Sequence, residues 1–509
     1  MTTTPIRRPL PLLTEGPHGS RSAMTCQYRC NNACDNPIPN TSENEEFATV
    51  AARSFSRRSV VGTGVGLGAL TLASLATAAP AAASPTAAPR PGTGAGRWQF
   101  DAVAPNRADA ITVPDGYASQ VLIAWGDPVT RKAPRFDVNN QTAKAAVEQF
   151  GYNNDYVGVL PHPTRRQRAV LVVNHEYTDE PLMFPAGSHD DRTILEVAMA
   201  NHGMSVVEIQ PGRATGSWRG RGGEAGPPHP PPPTRTPVKR GGAAAGGTRP
   251  RAPADPTGRR VLGTLNNCAG GRTPWGTVLS GEENFNGYFD ASGALPAQYA
   301  ASYARYGISG KGRGWSAVDE RFDVTRTPHE PYRQGWIVEI DPYDPTSKPR
   351  KHTMLGRMKH EGANVTIARS GHVVVYMGDD ERGDYLYRFI SAGKYDPRKT
   401  PKARRRNMEL LTRGTLSVAR FEGDGAQDGE YDGIGRWITL TDHEHSYVPG
   451  MSVADVLIDT RLAADKVGPT RMDRPEDVEV NPVNGRVYAA MTNNSNRGGT
   501  FAADEANPI

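Results

Sequence analysis

Short runs of Val, Ile, Leu and Tyr, each closed by Gly, Asn, Asp or Pro, recur along this chain and limit what it can fold into. They include YASQVLIAW (117–125), RAVLVVN (168–174), HGMSVVEIQ (202–210), GTVLS (276–280), GWIVEID (335–341), HVVVYM (372–377), YLYRFI (385–390), GTLSVARF (414–421), GRWITL (435–440) and RVYAAM (486–491). Runs of this length and composition are strands. Helical patterning is confined to two places, around residues 143–149 and 296–306. There is no βαβ alternation and no glycine-rich nucleotide loop, which disfavours a doubly wound sheet. Many short antiparallel strands build a sandwich, a barrel or a propeller. At 509 residues the size favours a propeller, whose inner strands present side chains to one central channel.

Four of these runs end in a burst of carboxylates, amides and turn residues: AVLVVNHEYTDE (169–180), GTVLSGEENFNG (276–287), HVVVYMGDDERGD (372–384) and RVYAAMTNNSN (486–496). The candidate ligands are Glu176, Glu282, Glu283, Glu361, Asp379, Asp380, Glu476 and Asp477, with the amides Asn284 and Asn364. Such oxygen donors suit calcium, magnesium or ferric iron, whereas zinc favours several His or Cys. Cys268, just before the second cluster, is the one cysteine after residue 83. It has no partner for an internal disulfide, so it is either buried and inert or a ligand; among carboxylates it points to iron. His175 and His360 each precede a Glu and read equally as outer hydrogen-bond donors or as ordinary histidines. Arg272, Arg382 and Arg474 lie inside the same clusters, and a guanidinium offers a fork for phosphate or carboxylate. No G-x-S-x-G elbow and no Ser/His/Asp order stands out, so a serine-nucleophile hydrolase is disfavoured.

Residues 1–53 form a tail carrying Cys26, Cys30 and Cys34, whose spacing fits neither a zinc finger nor a redox C-x-x-C. Residues 54–83 place Arg57 and Arg58 ahead of a mildly apolar, Gly- and Ala-rich run with an Ala-x-Ala ending. That is the pattern of a twin-arginine export signal, cut near Ala83, and it is too short and broken for a membrane span. A flexible linker follows at 84–97, and the folded part is expected over 98–509. The stretch 211–256 is rich in Pro, Gly and Arg and is expected to be disordered. It reads either as an insertion loop or as the product of a shifted reading frame. A net charge of +5 is small for this length, and KARRR (402–406) reads as a solvated loop, so no nucleic-acid surface is expected.

NNCAGGRTPWGTVLSGEENFNGYF (266–289), MKHEGANV (358–365), YMGDDERGDYLYRF (376–389) and RPEDVEVNP (474–482) resemble the PhoX-type alkaline phosphatases. The resemblance extends from about residue 100 to 496. It implies an all-β, six-bladed β-propeller that hydrolyses small phosphomonoesters. The cofactor it implies is a mixed Fe3+ and Ca2+ centre bridged by an oxo group, which would be the attacking group in place of a protein nucleophile. It also implies export by the twin-arginine machinery, a secreted or cell-envelope location and a monomer. Carried over by position, Cys268 resembles the thiolate ligand to iron, and Glu361 and Glu476 the bridging or iron-ligating carboxylates. Glu283 and Glu176 resemble calcium-side ligands, Arg474 the phosphate-binding arginine, and Asp380 and Arg382 its active-site neighbours. Against the family, the chain is expected to lack the closing blade and to be a truncated copy with an incomplete metal shell. The competing readings are a non-catalytic, calcium-stabilised propeller that binds a partner, an inactive copy, and a calcium-only hydrolase of lactones or phosphotriesters with no role for Cys268.

Overall fold

The computed structural model describes residues 103–508 apart from 105, 107, 215, 221–236, 254 and 426–431. The tail at 1–53, the export signal at 54–83 and the linker at 84–97 lie outside the described residues. The chain divides into two units, Ile38–Ser119 and the remainder. The described residues of Ile38–Ser119 form no helix or strand. Everything below concerns residues 120–508.

These residues are all-β and propeller-like, with four sheets. The first contains β1 (Asn154–Pro161), β2 (Ala169–His175), β3 (Gly203–Pro211) and β4 (Trp218–Gly220), in that order. The second contains β5 (Pro237–Gly241), β6 (Arg260–Leu262), β7 (Asn267–Arg272), β8 (Val278–Glu282), β9 (Ile337–Ile340) and β10 (Arg350–His352), ordered β6-β5-β10-β9-β8-β7. The third is β11 (Asn364–Ile367), β12 (His372–Gly378), β13 (Leu386–Lys394), β14 (Gly414–Gly423) and β15 (Gly433–Thr441), in order. The fourth is the pair β16 (Pro475–Val480) and β17 (Val487–Met491). Pairing is antiparallel except between β5 and β10. Among the described residues no helix is long and apolar enough to cross a membrane.

Strand β2 is buried at every position, which explains its unbroken apolar run. Leu171 and Val173 pack with Phe150 and Ile209 on one face, while Val170 and Val172 pack with Val278, Val338 and Ile340 of the second sheet on the other. A larger aromatic core, including Trp315, Trp336, Tyr306 and Phe389, joins the second and third sheets. The edge strands β1, β7, β11 and β16 adjoin one another in turn. Two glycines permit that approach. A Cβ on Gly281 would stand 2.2 Å from the His360 carbonyl oxygen, and one on Gly378 would stand 2.1 Å from that of Glu476.

Three sequence expectations are corrected. Residues 237–256 of the stretch expected to be disordered are folded: β5 is held by ladders to β6 and β10, and Val238, Arg240 and Ala244 are buried. A strand of five residues needs only two inward side chains when both of its edges are paired; Arg240 lies over Trp336, 5.3 Å from the ring centroid. The portion at 221–236 lies outside the described residues. KARRR is not a solvated loop but part of a helix, Pro401–Asn407, capped by Thr400 and tied down by Arg404, which pairs with Asp341 and donates to the Trp275 carbonyl at 2.9 Å. Residues 117–125 form no strand: Leu122 and Ile123 pack on the Phe150 cluster without joining a ladder.

Candidate metal centre

Antiparallel pairing sets the start of one strand against the end of the next. Asn154 pairs with His175, Asn267 with Glu282, and Pro475 with Met491, while His360, ahead of β11, bridges to Asp379, after β12. Each hairpin thus carries two segments at its open end. These are Asp155 with Glu176, Cys268 with Glu283, Glu361 with Asp380, and the pair Arg474 and Glu476 with Thr492.

Cys268 is fully buried, and its Sγ lies 3.2 Å from Glu361 Oε1 and 3.4 Å from Asp155 Oδ2. Ligand atoms of Asp155, Glu176 and Cys268 all lie within 4.8 Å of one another, and so do those of Cys268, Glu283 and Glu361. Burial, followed by the charges of Glu176, Glu361, Glu283 and Asp155, pushes the thiol well above its ordinary range. Burial and then Asp380, Glu476 and Asp155 do the same to the Glu361 carboxyl. Asp477 is pushed up to about 6 by burial and by Asp155, Glu479 and Glu476. Buried carboxylates this close repel one another, and a bound cation removes the repulsion. The donor set, several carboxylates with one sulfur, fits hard cations beside a transition metal.

The backbone around the cluster is held in an uncommon conformation. Asn153, Asn266 and Arg474 are the non-glycine residues with positive φ among those described, at 51°, 48° and 42°. Asn153 Nδ2 donates to Glu176 Oε2 at 3.4 Å, and its carbonyl accepts from the Glu176 amide at 3.1 Å. The Asn266 carbonyl accepts from the Glu283 amide at 3.0 Å, and Asn266 Nδ2 donates to the Glu176 carbonyl at 3.3 Å. Strain of this kind concentrates where a site must be held in one arrangement.

Arg474 is buried, and its guanidinium is gripped along one edge. Nε donates to Asp380 Oδ1 at 3.0 Å, and Nη2 donates to Asp380 Oδ2 at 2.8 Å and to Glu476 Oε1 at 3.2 Å. Nη1 makes no hydrogen bond within the protein.

Of the residues singled out from sequence, Glu176, Cys268, Glu283 and Glu361 come together, with Arg474, Asp380 and Glu476 in one hydrogen-bonded group beside them. Three others go elsewhere. Glu282 is buried against Lys351, at 2.8 Å, and accepts from the Leu265 and Trp336 amides. Asp379 is buried in a two-point pair with Arg461 and accepts from the Lys359 amide at 3.0 Å. Arg382 lines a cavity of about 250 Å3 with Lys359, Glu381 and Arg305, and no member of the Cys268 cluster lines it. That placement departs from its expected role, because the turn after Asp380 carries the Arg382 side chain away. His175 hydrogen-bonds Ser205 at 2.7 Å, and His360 donates to the Gly356 carbonyl at 2.8 Å. Burial lowers their pKa values to about 3 and about 4, so both are neutral.

Asp155 and Thr492 were missed. The sequence reading followed the ends of strands, whereas Asp155 lies at the start of one. The antiparallel rule that places a strand start beside a strand end would have found it.

The family model described as alkaline phosphatase PhoX matches residues 98–509. Among solved structures, the chain is similar to Pseudomonas fluorescens PhoX in complex with vanadate, a transition state analogue. The two are 40% identical, with a TM-score of 0.73 over 81% of this chain and 70% of that one. No curated protein matches.

Proposed function

The chain belongs to the PhoX-type alkaline phosphatases, and from that premise we propose that it hydrolyses small phosphomonoesters at the Cys268 cluster through an iron–calcium centre, without a protein nucleophile. The observation that carries this reading is the Arg474 guanidinium, fixed on one edge by Asp380 and Glu476 with Nη1 left over beside a nest of buried carboxylates.

Cys268, Glu361 and Glu476 would hold iron, and Glu283 and Glu176 calcium; Asp155 is a further donor within reach of Cys268 and Glu176. Iron and calcium there would polarise the phosphoryl oxygens and make water acidic enough to attack at phosphorus. Arg474 binds the phosphoryl oxygens through its open edge and stabilises the charge that builds up on them. Asp380 keeps the guanidinium in its plane, so little reorganisation is needed when substrate arrives. Water supplies the entering oxygen, the ester oxygen leaves with the alcohol, and phosphate is released. Vanadate bound to the Pseudomonas protein is described as a transition state analogue, and the same anion is expected to bind here.

Export by the twin-arginine route and a role in phosphate acquisition outside the cytoplasm complete the reading, on the strength of Arg57, Arg58 and the run to Ala83. Elemental analysis of the exported protein with a p-nitrophenyl phosphate assay tests it. Iron and calcium with turnover is the expected result, and calcium alone without turnover would return the binding-module reading.

A further inference from the structure

Thr492 follows β17 and stands opposite the start of β16. Its amide donates to the Arg474 carbonyl at 3.2 Å, and its hydroxyl donates to Glu476 Oε1 at 2.7 Å. It therefore holds both ends of the Arg474–Glu476 segment, where the backbone already sits at a φ of 42°. Glu476 Oε1 also accepts from Arg474 Nη2, so one carboxylate oxygen receives two protein donors.

We infer that Thr492 is a positioning residue that fixes which oxygen of Glu476 faces the metal centre. With Oε1 engaged by a hydroxyl and a guanidinium, Oε2 is the oxygen left to take a cation. The threonine side chain suits this task because its β-branch restricts χ1, so the hydroxyl is aimed before any metal arrives. Without it, the carboxylate rotates about its last torsion and both oxygens compete for Arg474, loosening the ligand and the phosphate-binding fork together. Outer hydrogen-bond partners of this kind typically govern metal affinity by about 10- to 100-fold. The inference rests on the reading of Glu476 as a metal ligand.

The test uses purified, metal-loaded protein equilibrated against a series of EDTA concentrations, with iron and calcium measured by elemental analysis. Thr492→Val keeps the shape and removes the hydroxyl, and Thr492→Ser restores the hydroxyl. Thr492→Val is expected to lose half of the metal that Glu476 holds at roughly tenfold lower EDTA, with Thr492→Ser close to wild type and Glu476→Gln weaker than either. Retention by Thr492→Val equal to wild type, while Glu476→Gln loses metal, overturns the role of Thr492 and leaves the site reading intact. Loss by Thr492→Ser equal to that of Thr492→Val overturns it as well, because the hydroxyl would not be what matters. Wild-type retention by Glu476→Gln overturns the reading of Glu476 itself. A melting temperature of the EDTA-stripped Thr492→Val chain equal to that of the stripped wild type separates positioning from a general loss of stability.

Discussion

Asp380 holds Arg474 by two parallel hydrogen bonds, of 3.0 and 2.8 Å, that occupy Nε and Nη2 and leave Nη1 over. A lysine carries the same charge but cannot be gripped on one edge while offering another. Arg474→Lys is therefore expected to lower kcat/KM about 100-fold, with iron and calcium content unchanged. Asp380→Asn keeps one acceptor and is expected to cost about tenfold. Steady-state kinetics on p-nitrophenyl phosphate reads both, and wild-type values for Arg474→Lys would remove the phosphate clamp from the mechanism.

The neighbours Glu282 and Glu283 are expected to behave as opposites. Glu282→Gln leaves Lys351, a fully buried ammonium, without its carboxylate and is expected to destabilise the fold by about 3–5 kcal/mol. Glu283→Gln removes a donor from the Cys268 cluster and is expected to reduce bound metal and activity. Denaturant unfolding of the metal-free proteins together with elemental analysis separates the two effects.

Cys268→Ser replaces the one sulfur in the cluster with a harder oxygen donor at nearly the same volume. Iron content and turnover are expected to fall together while the stability of the metal-free chain changes little. Full turnover in this variant, or in protein stripped by chelator, contradicts an iron role.

His202 gives a pH prediction. It accepts from the Tyr288 hydroxyl at 2.9 Å, donates to the Ala198 carbonyl at 2.7 Å, and is lowered to about 3 by burial and by Arg313. Between pH 6.5 and about 3 the unfolded chain takes up a proton here that the folded chain refuses, so stability falls as pH falls through this window. His202→Asn is expected to reduce that slope by up to about 1.4 kcal/mol per pH unit. Urea unfolding at several pH values reads it, and an unchanged slope excludes His202 as its source.

The strands and the carboxylate clusters were legible because both are local patterns. The second strands of the four sheets, β2, β8, β12 and β17, are the four runs whose polar endings stood out. Which member of an adjacent pair turns to the cluster was not legible. Successive side chains on extended backbone point to opposite faces, so Glu282 and Asp379 reach Lys351 and Arg461 while Glu283 and Asp380 reach the site. The cations that claim the inner members come from distant sequence, and no local rule reveals them. The small strand β5 was missed for a related reason: its order comes from pairing with β10, more than a hundred residues on.

Because each hairpin contributes only its open end, the cluster has no local precursor: Cys268 meets Asp155 across 113 residues and Glu361 across 93. Such distant contacts form late, after the chain's loops have closed. A nascent or half-assembled chain therefore owns scattered weak cation sites and no phosphatase. Catalytic competence arrives as the last event of folding, and the hydrolytic centre doubles as a checkpoint on the finished molecule.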